Sequence, residues 1–329
     1  MVILGIDIGG ANTKITELMG ETYRIHHIYL PLWKRDTRLV ELLRRYNSED
    51  VEKVGVVMTA ELVDVYRSKR EGVEDILKTV ERAFPNKEIY VFDVEGNFLD
   101  LDAARRNYIK VSASNWTATA HFVIRDICNN CVLVDMGSTT TDVIPIREGK
   151  VLAEKRDLKR LMNNQLVYVG ALRTPLSFLS RTVTFRGYET NISSEYFSIT
   201  GDINIILSKI GEEDYTCDTP DGAPVDRESC MRRVARILCS DLEELRKEEI
   251  LDISHQLYSK LLDIIRYNVD QVSQRYGIED VVITGLGEGI LREALEGYRI
   301  LSIGEKYGRE VSLCTPSFAV AKLLEDWEK

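Results

Sequence analysis

Two short stretches of this chain carry matching residues at matching spacing. One runs Gly5-Ile6-Asp7-Ile8-Gly9-Gly10-Ala11-Asn12-Thr13-Lys14, the other Leu133-Val134-Asp135-Met136-Gly137-Ser138-Thr139-Thr140-Thr141-Asp142. Asp7 matches Asp135, Gly9 matches Gly137 and Thr13 matches Thr141. Each begins as an apolar strand, ends it on an Asp and turns through Gly and small or hydroxylated residues. A carboxylate at such a strand end can hold a hydrated Mg²⁺, directly or through water. Gly9, Gly10 and Gly137 let the backbone approach an anion closely. Successive N–H groups in such a turn form an anion nest. Asn12, Thr13, Ser138, Thr139, Thr140 and Thr141 add donors. Lys14 closes the first loop and can reach a phosphate, although a strand position can also send it to solvent. One such hairpin could be only a tight turn capped by Asp. Two in register predict two similar half-molecules facing a cleft that binds phosphate.

A third stretch, Val282-Ile283-Thr284-Gly285-Leu286-Gly287-Glu288-Gly289, reads as a strand, a Gly-rich turn and a helix start. The backbone at Gly285 and Gly287 could lie against a nucleotide's adenosine or a flat substrate ring. The chain has neither the Gly-x4-Gly-Lys-Ser/Thr of a P-loop nor the Gly-x-Gly-x-x-Gly of a dinucleotide site.

Positioning these loops requires alternating strands and helices. Apolar runs predict strands at 2–8, 13–18, 23–31, 51–58 and 88–93. Helical periodicity falls between them, at about 36–47, 68–84, 100–107 and 115–127. The pattern restarts with strands at 131–136, 141–147 and 150–155. Residues 160–225, rich in Thr, Ser, Gly, Asp and Pro, read as an inserted loop-rich segment. Helices near 227–247 and 248–276, a buried strand at 280–284 and a closing helix from about 316 complete the chain. This alternation predicts an α/β architecture with helices on the sheet faces.

A chain of 329 residues with 44% hydrophobic and 29% charged residues is long enough for two domains with their own cores. A net charge of −10 argues against a nucleic-acid binder, which needs a basic face. Lys34, Arg35, Arg38, Arg44 and Arg45 are followed by Glu49, Asp50 and Glu52, which suits a solvated helix face. No apolar run approaches the roughly 20 residues of a membrane helix, and the N-terminus enters a strand without a charged leader. Six cysteines then read as reduced thiols of a cytoplasmic protein. Cys128 and Cys131 form an isolated pair, and Cys131 opens an apolar strand, so a zinc site is disfavoured.

The two loops and the late Gly-rich turn resemble the acetate and sugar kinase, Hsp70 and actin superfamily. That resemblance implies two ribonuclease-H-like domains with mixed sheets flanked by helices and an interdomain cleft. It places the first domain at 1–127, the second at 128–315 and a closing helix at 316–329. Met58-Thr59-Ala60-Glu61-Leu62, Ser114-Asn115-Trp116-Thr117-Ala118-Thr119-Ala120, Asp135 through Ile146, and Gly170-Ala171-Leu172-Arg173-Thr174-Pro175 resemble a narrower group. These are the hydantoinase/oxoprolinase-related archaeal proteins of one-carbon cofactor pathways.

The resemblance implies a transferase reaction. An aminomethyl-furan-methyl diphosphate alkylates the phenol oxygen of γ-glutamyltyramine, and pyrophosphate leaves. Mg²⁺ on Asp7 or Asp135 would neutralise charge on the leaving group. A furan-methyl cation is stabilised by its ring. The alternative is an ATP-dependent kinase or hydantoinase/oxoprolinase-like hydrolase that uses the same loops for ATP. The implied partners are small molecules carrying a diphosphate and a phenol, with no nucleic acid or membrane. A homo-oligomer is left open.

A phenol of pKa about 10 needs help to ionise. Glu61, Asp142 and His121 are the candidate bases. Glu61 follows a strand end, where loops gather over a ligand crevice, and could equally be a helix N-terminal carboxylate. His121 falls in a helix and Asp142 could instead bind metal. Arg173 could hold the diphosphate or the glutamate carboxylate. Asn115 has the chemistry of a helix N-cap, and Trp116 could line a substrate pocket or anchor the core. Asp218 and Asp221 lie in a turn-rich loop where solvation competes with metal binding.

Overall fold

The computed structural model describes residues 2–34 and 38–327. Arg35 and the first two positions of the expected 36–47 helix lie outside the described residues, as do the last two of the closing helix. The first sheet contains β1 (Val2–Ile8), β2 (Asn12–Met19), β3 (Thr22–Tyr29), β4 (Val51–Met58), β5 (Glu88–Phe92) and β6 (Phe98–Leu99), in the order β3-β2-β1-β4-β5-β6. β1 pairs antiparallel with β2 and parallel with β4. It is buried over Ile3–Ile8, as a central strand covered on both faces must be.

The later strands are β7 (Cys131–Met136), β8 (Thr141–Arg147), β9 (Lys150–Val151), β10 (Leu166–Val167), β11 (Thr182–Phe185), β12 (Tyr188–Asn191), β13 (Asp280–Thr284) and β14 (Arg299–Ser302). The second sheet runs β10-β8-β7-β13-β14. Its plan repeats the first: a hairpin, then two strands added in parallel beyond the hairpin's first strand. The chain is therefore mixed α/β with two ribonuclease-H-like sheets.

The chain divides into two compact units. One comprises Met1–Cys131, Ile144–Arg160 and Ile303–Lys329, the other Val132–Val143 and Leu161–Ser302. These limits differ from 127/128 and 315/316, because the chain passes between units within β7 and β8 and returns at Ile303. Each unit has its own apolar core.

The segment 160–225 is not a plain loop. Helix Thr200–Ile206 is buried along its whole length. Its Asp202 accepts hydrogen bonds from Ser198 Oγ, the Ile199 N–H, Tyr215 OH and Arg233 Nε. The Asp202–Arg233 pair is 2.8 Å apart with both side chains 0% exposed. A buried ion pair is tolerable only when its remaining donors and acceptors are satisfied. Arg233 accordingly also donates to Asp221 and to the Pro224 carbonyl. The polar residues that suggested solvent serve an internal network, and Asp221 is held by Arg233 and Arg236. The expected 227–247 helix stops at Arg236, and Cys239 then takes a left-handed φ of 56°. The helix Lys247–Tyr276 ends on Gly277 in the left-handed conformation, the usual glycine stop. β9 covers only two of the residues expected at 150–155. No described helix is long and apolar enough to cross a membrane.

Close packing of the closing helix, Thr315–Asp326, depends on Gly5. A Cβ there would lie 2.0 Å from the Ser317 carbonyl oxygen. Gly5→Ala should destabilise the first unit by about 2–3 kcal/mol through overpacking. Urea unfolding checks this; a change below about 0.5 kcal/mol would contradict the packing.

Candidate functional site

Both loops close with the same hydrogen bond. The Gly9 N–H donates to the Asn12 carbonyl at 3.0 Å, and the Gly137 N–H donates to the Thr140 carbonyl at 2.9 Å. The residue before each glycine also plays the same part. The Ile8 carbonyl accepts from the Thr59 and Ala60 amides beyond β4, and the Met136 carbonyl accepts from the Gly287 amide beyond β13. The matched spacing in the sequence is thus a matched fold.

In the first unit, Asp7 is buried and Lys14 is its cross-strand partner, with Nζ 3.6 Å from Oδ2. Lys14 therefore serves the loop rather than solvent. The carbonyls of Gly10 and Ala11 accept from Leu32 and Leu30. Thr13 is fully buried. Its hydroxyl and the Asn12 side-chain oxygen have no hydrogen-bond partner among the described residues. Buried polar atoms of this kind normally find one; the Thr13 hydroxyl could donate to an anion's oxygen, and the Asn12 oxygen could accept from a coordinated water.

The second loop is braced by residues 170–173. Ala171 donates to Gly137, and the amides of Leu172 and Arg173 donate to Ser138. A Cβ on Gly170 would lie 2.5 Å from the Thr139 backbone. Arg173 reaches Thr139 Oγ1 at 3.4 Å, next to Ser138 Oγ, so its guanidinium belongs to this loop. Thr141 is buried, bonding the Val169 carbonyl. Gly285 and Gly287 press against Asp135 and Met136. Gly285 has φ of 96°, and a Cβ there would lie 2.5 Å from Asp135 Oδ1. These close approaches seat the Asp135 turn. Asp142 lies half-buried on β8, paired in register with Leu166.

Among the described residues, no cluster of three or more His, Cys, Asp or Glu could cage a metal. Each loop instead offers one Asp. That donor set fits Mg²⁺, which commonly takes one or two carboxylates and completes its shell with water and substrate phosphates.

Glu61 lies in the loop that follows β4. Its neighbours Thr59 and Ala60 bond Ile8, and a Cβ on Gly10 would meet Val63 at 3.0 Å, so this loop packs on the first phosphate loop. The Glu61 side chain is 2% exposed. Burial pushes its carboxyl up to about 7, against the pull of Lys69. The Ala113 amide also favours the charged form, and Oε2 has no hydrogen-bond partner among the described residues. Lys69 and Asp157 flank it. Neither was singled out from sequence, although Ser68 and Glu71 carry the N-cap pattern that starts this helix at Lys69.

His121 packs edge-on to Phe92 and against Gly96, and burial lowers its pKa. Asn115 is the first helical residue and Ser114 precedes it as N-cap; the Asn115 side chain accepts from the Trp116 amide instead. Trp116 is buried beneath the Arg160 guanidinium, 4.4 Å from its ring, so it anchors the core.

A hydantoinase/oxoprolinase family model matches residues 52–327. The chain is 62% identical over 325 residues to the (4-{4-[2-(γ-L-glutamylamino)ethyl]phenoxymethyl}furan-2-yl)methanamine synthase of Methanocaldococcus jannaschii, covering 99% of this chain and 98% of that one. It is 54% identical over 213 residues to a protein of the same name from Methanococcus vannielii, covering 63% of this chain and 96% of that one. Among solved structures, nucleotide-free acetone carboxylase matches with a TM-score of 0.56 at 12% identity, over 97% of this chain and 70% of that one. A ROK family glucokinase from Streptomyces griseus matches with a TM-score of 0.50 at 12% identity, over 98% and 99%. The two structures share the fold.

Glu61 makes stability depend on pH. An acid whose pKa is raised on folding costs nothing while protonated in both states, and its penalty grows as pH rises from about 4.5 to about 7. Glu61→Gln should therefore gain on wild type by about 2–3 kcal/mol between pH 5 and pH 8. Thermal melts at the two values check this; an unchanged difference would contradict the buried-acid reading.

Proposed function

We propose, starting from the family to which this chain belongs, the hydantoinase/oxoprolinase family, that it is a transferase forming an aryl ether. The observation that carries this reading is 62% identity along 99% of the chain to a synthase whose name describes the product. That product joins the phenol oxygen of γ-glutamyltyramine to a furan-methyl carbon bearing an aminomethyl group elsewhere on the ring. The donor is a furan-methyl diphosphate. The bond between its methylene carbon and the diphosphate oxygen breaks, and the electron pair leaves with pyrophosphate. The phenol oxygen bonds the methylene carbon and gives up its proton.

The loops suit a diphosphate as well as they suit ATP. Gly9, Gly10, Asn12, Thr13 and Lys14 form one anion-holding turn, and Gly137, Ser138, Thr139, Thr140 and Arg173 form another. Asp7 or Asp135 would hold Mg²⁺, which when bound supplies charge neutralisation to a departing diphosphate. Lys14 brings fixed positive charge to the first turn and Arg173 to the second.

Glu61 is the proton acceptor. A phenol of pKa about 10 facing an ordinary carboxylate must transfer its proton about 8 kcal/mol uphill. With Glu61 at about 7 the climb falls to about 4 kcal/mol. Of the three candidate bases, Glu61 alone combines burial, a raised pKa and a place beside a phosphate loop.

The full chain incubated with the furan diphosphate, γ-glutamyltyramine and Mg²⁺ should yield the ether, detected by mass, with one pyrophosphate per ether. Asp135→Asn should lower the rate by about 100-fold or more while leaving the fold intact. ATP hydrolysis with no ether formed from intact substrates would favour the ATP-dependent kinase or hydrolase instead.

A further inference from the structure

Glu61 does not stand alone in its unit. Lys69, on the first turn of helix Lys69–Ala83, has Nζ 3.0 Å from Asp157 Oδ2 and 3.8 Å from Glu61 Oε1. The Lys69 and Asp157 side chains are 32% and 29% exposed, so this end of the cluster meets water while Glu61 does not. Asp157 also faces Arg160, 3.4 Å away, whose guanidinium lies on Trp116. The helix is pressed onto Glu61 by Gly72, where a Cβ would lie 2.1 Å from the Glu61 carbonyl oxygen. The charged groups facing Glu61 are Lys69 from this helix and Asp157 from helix Asp157–Met162, with Arg160 beyond Asp157. The loop before Asn115 contributes the Ala113 amide.

One lysine thus serves two carboxylates, and the buried one is the more distant. A lysine paired with Glu61 alone would hold it as a permanent carboxylate and a weak base. No cation at all would leave a buried charge unpaired, at a cost of several kcal/mol. Sharing with Asp157 avoids both. Burial is the largest influence on Glu61 and raises its pKa; Lys69 lowers it and Asp157 raises it again.

We propose that Lys69 is a positioning residue for the transfer, moving its share of charge from Glu61 to Asp157 as Glu61 takes up the phenol's proton. This rests on Glu61 being the proton acceptor. In the step, the phenol O–H bond breaks and its proton bonds a Glu61 oxygen, which cancels the Glu61 charge. Lys69 then pairs with Asp157 alone. When the product has left, Glu61 gives up the proton, which reaches solvent at the partly exposed Lys69–Asp157 end of the cluster, and Lys69 takes up its shared position again.

The test titrates the Glu61 carboxyl in the full-length protein by infrared difference spectroscopy, its band identified by loss in Glu61→Gln. Lys69→Met should move the midpoint up and Asp157→Asn should move it down, each by about one pH unit. Lys69→Arg should stay near wild type. The acid limb of kcat/KM for ether formation should move the same way in each variant, a displacement that mere loosening of the fold would not produce. Midpoints that stay put, or that move in one direction in both charge-removing variants, overturn the proposal. Midpoints that move as expected while the acid limb stays fixed also overturn it, since Glu61 is then not the acceptor. Failure to form any ether would count against the proposed reaction, and the infrared midpoints would still report on the Lys69–Glu61 coupling.

Discussion

One backbone hydrogen bond organises both halves of this protein. It closes the turn between a strand with Asp next to last and its hairpin partner, from Gly9 to Asn12 and again from Gly137 to Thr140. The turn thus begins two residues after Asp7 and Asp135. It also sets where the next parallel strand delivers its own loop, because the carbonyl beside each glycine receives that loop's amides. Gly9 is held to this geometry sterically as well: a Cβ there would lie 2.8 Å from the Asn12 carbonyl oxygen.

The same plan is then put to two uses. Val57 pairs with Asp7, and Thr284 pairs with Asp135. A glutamate follows each at the same spacing, Glu61 in one unit and Glu288 in the other. Glu288 is half-buried at a helix start and accepts from the Ser302 hydroxyl. Glu61 is sealed from water, with Lys69 as its counter-charge. Burial, more than position, is what raises the Glu61 pKa. The second unit instead spends its loop on close approach, through Gly285 and Gly287 against Asp135 and Met136.

The loops and strands were legible because local chemistry dictates them. An apolar run ending on Asp-x-Gly needs no partner to declare itself, and β1, β4, β7, β8 and β13 fall within a residue or two of expectation. Lys69 and Asp157 were not legible as a pair, since they are 88 positions apart and meet only after folding. Helix Thr200–Ile206 was missed because its Thr, Asp and Asn look solvated until Thr200 and Asn204 are seen to donate to the Gly170 and Ala171 carbonyls and Asp202 to accept from Arg233 and Tyr215. For His121 the sequence leaves both readings open: a titratable ring packed on Phe92 and Gly96 reads the same in sequence as one that faces a ligand. Ser114 and Asn115 both have capping chemistry, and only the backbone shows which one precedes the helix.

The central claim is that these loops hold the diphosphate of a substrate. A crystal structure of the protein with the furan-methyl diphosphate and Mg²⁺ tests it most directly. Phosphate oxygens should lie within hydrogen-bond distance of the backbone amides at Gly9–Asn12 or Gly137–Thr140, with the metal on Asp7 or Asp135. A diphosphate bound away from both turns, with neither carboxylate near metal, would contradict it.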